Sequence, residues 1–427
     1  MAQTNVPSGS ALALKKYSAA LFTVTQRQPG FLKNLSGTAP TQTAAEMKLK
    51  GQSSPDMSIV RVTDLSKGQG DLVSVDLVNI TGGFPIIGDR NSEGKGEPLT
   101  FSSMDTKVDL TTKGVDSGGK MSGQRTKWNL RSLAMANLVG YFGRWGPQTA
   151  LVHLSGARGT QAGSDWTIPR EAGQGTPTLA EFAEIVVNPV KAPTYNRHYV
   201  ANALTLTQGG AQLASIASTD TLKLEHIDAL SLLLAEMEFK MQPVKLPDDP
   251  AAADEPMYVL LVSHRAWNSV LTNTANQVWR TFVQNAWNRA SYGSKHPLFK
   301  GDTGMWNNIL VKKMDRVVRF SGGDLVKHVA VANRYTAAET NVTVNAGRTV
   351  DRCLLLGAQA LVDCYGQGSG SDVPMTWYEN RYNLQRNLEI HGDVMNGKAK
   401  VRFNVPDGLG NEEPTDHGVL VLDVAVG

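Results

Sequence analysis

Cysteine is nearly absent: only two occur in 427 residues. Cys353 and Cys364 cannot supply the dense disulfide framework that staples small secreted domains. Set in apolar surroundings, they read as two reduced, buried thiols of a cytoplasmic protein. Charge is also scarce, at 19% of residues against about 25% in ordinary domains. Neither sign dominates, since 42 basic face 39 acidic side chains for a net +3. That balance excludes a chain that coats nucleic acid by charge alone, for which a pI above about 9 is expected. No window reaches the roughly 18 consecutive apolar residues of a membrane span, and runs such as residues 257–262 are strand-sized, so no membrane partner is expected. The opening MAQTNVPSGS lacks the basic-then-apolar layout of a secretory signal.

What is present is a globular composition, with 41% hydrophobic residues, which excludes disorder as the main state. The length matches two or three domains at about 100–200 residues each. Glycine is in surplus, 41 of 427 residues, so turns and close approaches are prominent.

Residues 1–66 alternate short apolar clusters with Pro7, Pro29, Pro40 and Pro55 and show no periodic apolar face. They read as an arm that needs other surfaces for its stability. Residues 72–80, LVSVDLVNI, alternate as a strand, and residues 101–110 alternate as its partner, with Met104, Thr106, Val108 and Leu110 on one side. Between them lies the glycine-rich GGFPIIGDRNSEGKGEP, longer than a compact domain tolerates without a use for it. A hairpin over residues 71–112 would reach about 60 Å, whereas a compact body of this length has a radius of gyration of about 22 Å. The hairpin must project or lie along something larger than its own body.

The best helix signal spans residues 121–145, where Trp128, Leu130, Leu133, Ala134, Leu138, Tyr141, Phe142 and Trp145 fall near helical spacing and Ser122 is the candidate N-cap. Gly140 and Gly143 inside it suggest close packing or a bend, and Gly146-Pro147 should end or kink it. Basic residues Lys120, Arg125, Lys127, Arg131, Arg144, Arg158 and Arg170 face only Asp165 here, which fits a solvated helix face or a polyanion-facing surface equally well. Further helices are expected at residues 179–187, at residues 223–241, with His226 as a core or boundary histidine, and after Ser263 in a region carrying Trp267, Trp279 and Trp287. Strands are expected at residues 257–262, 309–311, 317–320 and 399–405, and at residues 418–426, apolar enough to be buried on both faces. Residues 352–365 are short and apolar. The fold class is α+β.

Signals for chemistry fail one by one. Gly88 to Lys95 imitates a phosphate loop, but has five residues between its glycines and no Ser or Thr after the lysine. Ser117-Gly-Gly-Lys120 lacks the companion elements of serine acyl-transfer enzymes. His391 with Asp393 and Asp416 with His417 could form a metal site if the last strands paired, but they read more simply as loop residues. The tryptophans at 267, 279, 287 and 306 could stack bases but fit a core better. No catalytic residue, metal or cofactor is expected. An arm and a hairpin too long for their own body are what a subunit uses to embrace its neighbours.

Collinear stretches then carry a family resemblance: GGFPIIGDRNSEGKGEPLTF, GGKMSGQRTKWNLRSLAMANLVGYFGRW, LVHLSGARG, LLLGAQAL, GDVMNGKAKVRFN and DHGVLVLDV. In this order they resemble the major capsid proteins of tailed double-stranded-DNA bacteriophages. The resemblance implies the tailed-phage capsid fold: an N-terminal arm (1–66), an extended loop (67–120), a spine helix with a peripheral domain (121–225), a mainly axial domain (226–350) and a return to peripheral strands (351–427). It implies self-assembly as hexamers and pentamers into the icosahedral head of a virion, assembled in the host cytoplasm. Expected partners are portal, scaffolding and decoration proteins and non-specific packaged DNA. Loop charges Asp89, Arg90, Glu93, Lys95 and Glu97 are the candidates for contacts between subunits, and Lys120, Arg125, Lys127, Arg131 and Arg144 for facing DNA. Lys95 sits in the kind of loop that cross-links subunits in some relatives, without an identifiable asparagine partner. A bacterial nanocompartment shell is the alternative on the same fold, and an unrecognised hydrolase the alternative without it.

Overall fold

The computed structural model describes residues 56–62, 71–78, 87, 101–161, 163, 165–171, 181–245, 256–292, 303–314, 316–366, 375–406 and 411–426. Two sheets organise the body. In the eight-stranded sheet, Val419–Val426 is central, antiparallel to Thr349–Leu356 and parallel to His198–Asn202. Tyr258–Val262 continues the sheet beyond Thr349–Leu356, followed by Ile309–Lys313 and Thr303–Trp306. Every residue of Val419–Val426 is buried, as its run, apolar at every position but Asp423, suggests.

The two-residue period of that strand divides the core. Val419, Val421 and Ala425 join one cluster with Val259, Leu261, Leu354 and Leu356. Leu420, Leu422, Val424 and Val426 join the opposite cluster with Leu260, Val262 and Leu355. That second cluster is closed by Leu224–Glu236, His264–Asn273 and Asn276–Tyr292. Ser263 is the expected N-cap, accepting from the Ala266 amide at 2.9 Å. The tryptophan region is two helices, and its aromatics diverge. Trp267 is buried against Trp279 and Phe282, whereas Trp287 is 64% exposed.

The five-stranded sheet is built on Asn387–Lys400, which pairs with Leu361–Tyr365, Met375–Tyr382 and Asp109–Gly119, with Ile59–Val62 outside Leu361–Tyr365. The strand expected over 399–405 is interrupted at Val401, where Arg402–Pro406 leaves to pair with Glu412–Asp416. Residues 352–365 divide between both sheets. Cys353 and Cys364 therefore stand in different layers, each buried and free.

The long helix differs from its expected bounds. Lys120–Arg125 is a separate short helix, and Leu130–Ser155 runs 26 residues straight through Pro147. The N-cap is Asn129, whose side chain accepts from the Ser132 amide, in place of Ser122. A side chain able to cap in this way competes with helix continuation at residues 126–129. Pro147 removes one amide donor, but residues 148–155 are buried throughout, and burial rather than propensity sustains most helices. Residues 149–154 are thus helix. Gly140 has open space beside it, so it marks no close packing there. Gly392 does: a Cβ at this strand position would lie 2.8 Å from Leu138 and 2.9 Å from Phe142 of the helix. Of the expected helix at 179–187, Phe182–Ile185 is helical, and Val187 adopts positive φ.

Candidate assembly surfaces

The loop hairpin has the expected alternation at its root. Leu72–Val78 pairs antiparallel with Phe101–Lys107, with Val75 opposite Met104. Met104, Thr106 and Val108 are buried, and Val73, Val75 and Leu77 pack on a cluster of Val60, Val62, Val362, Val401 and Phe403. Leu110 departs from the pattern at 53% exposed. A cleft of about 300 Å³ remains between hairpin and body, lined by Val60, Val73, Leu77 and Phe403. Asn188 fixes the point where Phe101–Lys107 hands over to Asp109–Gly119. It accepts from the Lys107 amide at 2.8 Å and donates to the carbonyls of Lys107 at 2.8 Å and Lys398 at 3.1 Å. The hairpin root is thus clamped to the body. Asp89, Arg90, Glu93, Lys95 and Glu97 lie outside the described residues, as do the imitation phosphate loop and the arm before residue 56.

The basic row does not act as one surface. Arg125 and Lys127 are exposed, and the Lys120 side chain lies outside the described residues. Arg131 pairs with Glu379, while Arg144 turns back to the Gly140 carbonyl of its own helix at 3.2 Å. Arg158 is structural. It is buried, lies 3.7 Å from the Trp166 ring centroid and donates to the Ile168 carbonyl at 3.0 Å. Burial, and then Arg170 nearby, push its guanidinium down to about 10. Trp128 and Leu133, expected on the apolar face of the helix, are 72% and 46% exposed.

Charges hidden in the core join the sheets to the helix. Asp423 and Arg352, both fully buried, form a two-pronged pair at 2.8 Å on each prong. Arg352 also donates to the Ser155 carbonyl at 2.9 Å, at the end of the long helix, and His198 meets Asp423 at 2.8 Å. Burial alone would raise Asp423, but Arg352 and the hydrogen bonds override it and hold the carboxyl well below its usual range. Burial pushes His198 down, against the opposing pull of its Asp423 partner. Asp416 repeats the device with Lys400 at 2.7 Å and Arg402 at 2.8 Å. Burial, only partly offset by Asp416, brings Lys400 down to about 8. Sequence reasoning missed these groups. The available signal was the charge inside each otherwise apolar strand, Asp423 in VLVLDVAV and Asp351 with Arg352 in TVDRCLLL, since a charge buried there requires a partner.

His391 and Asp393 do not meet Asp416 and His417. His391 stacks on Tyr378, with centroids 5.0 Å apart, and Asp416 is held by its cations. Among the described residues no group of three or more metal-ligating side chains occurs, and no helix is long and apolar enough to cross a membrane.

Among the described residues, what emerges is a layered body with a clamped hairpin root and a long helix laid across a sheet. The sequence matches the phage capsid protein family over residues 5–427. The chain belongs to that family. The capsid of Ralstonia phage GP4 is similar in structure, with TM-score 0.67 at 24% identity over 100% of this chain and 96% of that one. The capsid of cyanophage Pam1 gives TM-score 0.59 at 17% identity over 100% and 99%. That of Helicobacter pylori bacteriophage KHP30 gives 0.56 at 11% over 91% and 94%. No curated protein matches the sequence. The capsid protein therefore has the fold its sequence resembled, the role of a phage major capsid protein and its place in the virion head.

Proposed function

We propose that this capsid protein closes, as hexamers and pentamers, into an icosahedral shell around packaged double-stranded DNA, with the arm ahead of Ile59–Val62 and the loop between Leu72–Val78 and Phe101–Lys107 clasping neighbouring subunits. Ile59–Val62 and Asp109–Gly119, expected within arm (1–66) and loop (67–120), belong to the five-stranded sheet. The observation that carries the reading is the hairpin root: an antiparallel pair, clamped by Asn188, on a body already closed by two sheets. The five-stranded sheet on Asn387–Lys400 with the long helix would form the peripheral part, and the eight-stranded sheet, which includes Val419–Val426, mainly the axial part. Loop charges Asp89, Arg90, Glu93, Lys95 and Glu97 would pair across subunits. Each exposed pair contributes only about 0–1 kcal/mol, but the contact recurs at every neighbour in a closed shell. Portal, scaffolding and decoration proteins are the expected further partners.

Deletion of residues 89–97 should leave a soluble subunit that forms no closed shells in negative-stain electron microscopy. Normal particles from that deletion would overturn the proposed role of the loop. Nuclease-resistant nucleic acid in native particles supports the virion; a packaged enzyme in its place would favour a nanocompartment.

A further inference from the structure

The strand turn at residues 383–385 brings to the start of the long helix two cations that the basic row of the sequence did not include. Asn383, Leu384 and Gln385 all adopt positive φ, at 51°, 52° and 63°. This left-handed turn reverses Met375–Tyr382 into Asn387–Lys400 and sets Arg381 and Arg386 on its two sides. Across from them stand Trp128 and Arg131, and together these four side chains line one cleft of about 430 Å³. Its floor is fixed by the Ser117 hydroxyl, which donates to the Leu388 carbonyl at 2.7 Å.

The charge in this cleft is unbalanced. Arg381 and Arg386 are exposed and make no ion pair among the described residues. Of the nearby acids, Glu379 is taken by Arg131, and Asp116 accepts from the Tyr382 hydroxyl at 3.0 Å and the Gly118 amide at 2.7 Å. No acidic residue occupies the first turn of the long helix. Guanidinium forks match phosphate oxygens two at a time, and an exposed indole offers a plate for the faces of sugar or base.

We infer that the cleft between Trp128 and the turn carrying Arg381 and Arg386 grips the phosphodiester backbone of nucleic acid, without regard to sequence. Proximity to packaged DNA follows from the shell reading above; the binding chemistry does not depend on it. The contact is electrostatic, so its affinity falls with salt by a slope of about 0.9 per phosphate.

The test uses the purified full chain and a fluorescein-labelled duplex of about 30 base pairs, which offers many equivalent phosphates, with anisotropy read across a salt series. Removing two phosphate contacts in the double variant Arg381→Ala/Arg386→Ala should lower the slope by about 1.8 and the affinity at 0.1 M salt by about 60-fold. The control, Lys240→Ala/Lys245→Ala, removes two exposed cations elsewhere and should change little. Circular dichroism and the urea midpoint establish that both variants fold. Equal loss in the two variants, or no loss in the first, overturns the assignment. So does poly-glutamate displacing the duplex as well as competitor DNA of equal charge, because the cleft would then suit an acidic polypeptide. Particle formation is scored separately: a wild-type chain that builds no shells refutes the shell reading and leaves the binding result standing.

Discussion

Replacing Arg352 by Met tests whether the buried charges hold the eight-stranded sheet and the long helix together. Arg352 is fully buried and satisfies three acceptors: both oxygens of Asp423 and the Ser155 carbonyl. Arg352→Met retains much of the side chain's volume but leaves Asp423 with His198 as its remaining side-chain contact of this kind. Removing one partner of a buried pair costs about 3–5 kcal/mol, because an uncompensated charge stays behind. That is a large part of the roughly 5–15 kcal/mol by which domains are stable. The double variant Arg352→Met/Asp423→Leu removes the stranded charge and should recover most of the loss, since apolar replacement of a whole buried pair is often neutral. The assay is urea denaturation of the full chain at pH 7, followed by tryptophan fluorescence and far-ultraviolet circular dichroism, with the coupling taken from the double-mutant cycle. The pH dependence has a definite sign. The Asp423 carboxyl is held below its ordinary value of 3.8, so its contribution is complete above about pH 4 and is lost as pH falls further. A loss below about 1 kcal/mol for Arg352→Met, or a double variant no more stable than Arg352→Met, would refute the reasoning.

Three other perturbations have clear expected outcomes. Burial pushes His153 down from 6.5 to about 4. The unfolded chain therefore binds its proton first, and up to about 3 kcal/mol of stability should disappear between pH 6.5 and 4; an acid titration of His153→Gln should lack that part of the slope. Gly392→Ala forces a Cβ against Leu138 and Phe142 and should cost about 1–3 kcal/mol, whereas Gly140→Ala, with open space beside it, should gain up to about 1 kcal/mol; thermal melts of the two variants should move in opposite directions. Burial raises the thiols of Cys353 and Cys364, the latter to about 12, so a disulfide reagent should label neither until the chain unfolds; rapid labelling of the native protein would contradict this.

The elements read correctly from the sequence are those whose pattern and environment coincide. Val419–Val426 is apolar at nearly every position because both of its faces meet a core. The hairpin root alternates because one face meets the body and the other does not. Local chemistry also sufficed where the cap was local, as at Ser263. The long helix was misplaced for the complementary reason. Trp128 and Leu133 fit its period but are exposed, and Pro147 should have stopped it, yet the burial that carries it to Ser155 comes from residues far along the chain.

By itself, the sequence determined the family, through collinear stretches that resemble phage capsid proteins. Composition and period, the scarce cysteine, balanced charge, long hairpin and apolar closing strand, indicated only a subunit built for assembly. Only the tertiary structure decided which charges meet. Arg352 and Asp423 lie 71 residues apart, Asn188 and Lys398 lie 210 apart, and Arg381 reaches the cleft of Trp128 from another strand. Such pairings depend on sheet register and on the path of the backbone between strands, and neither is encoded in the spacing of residues along the chain.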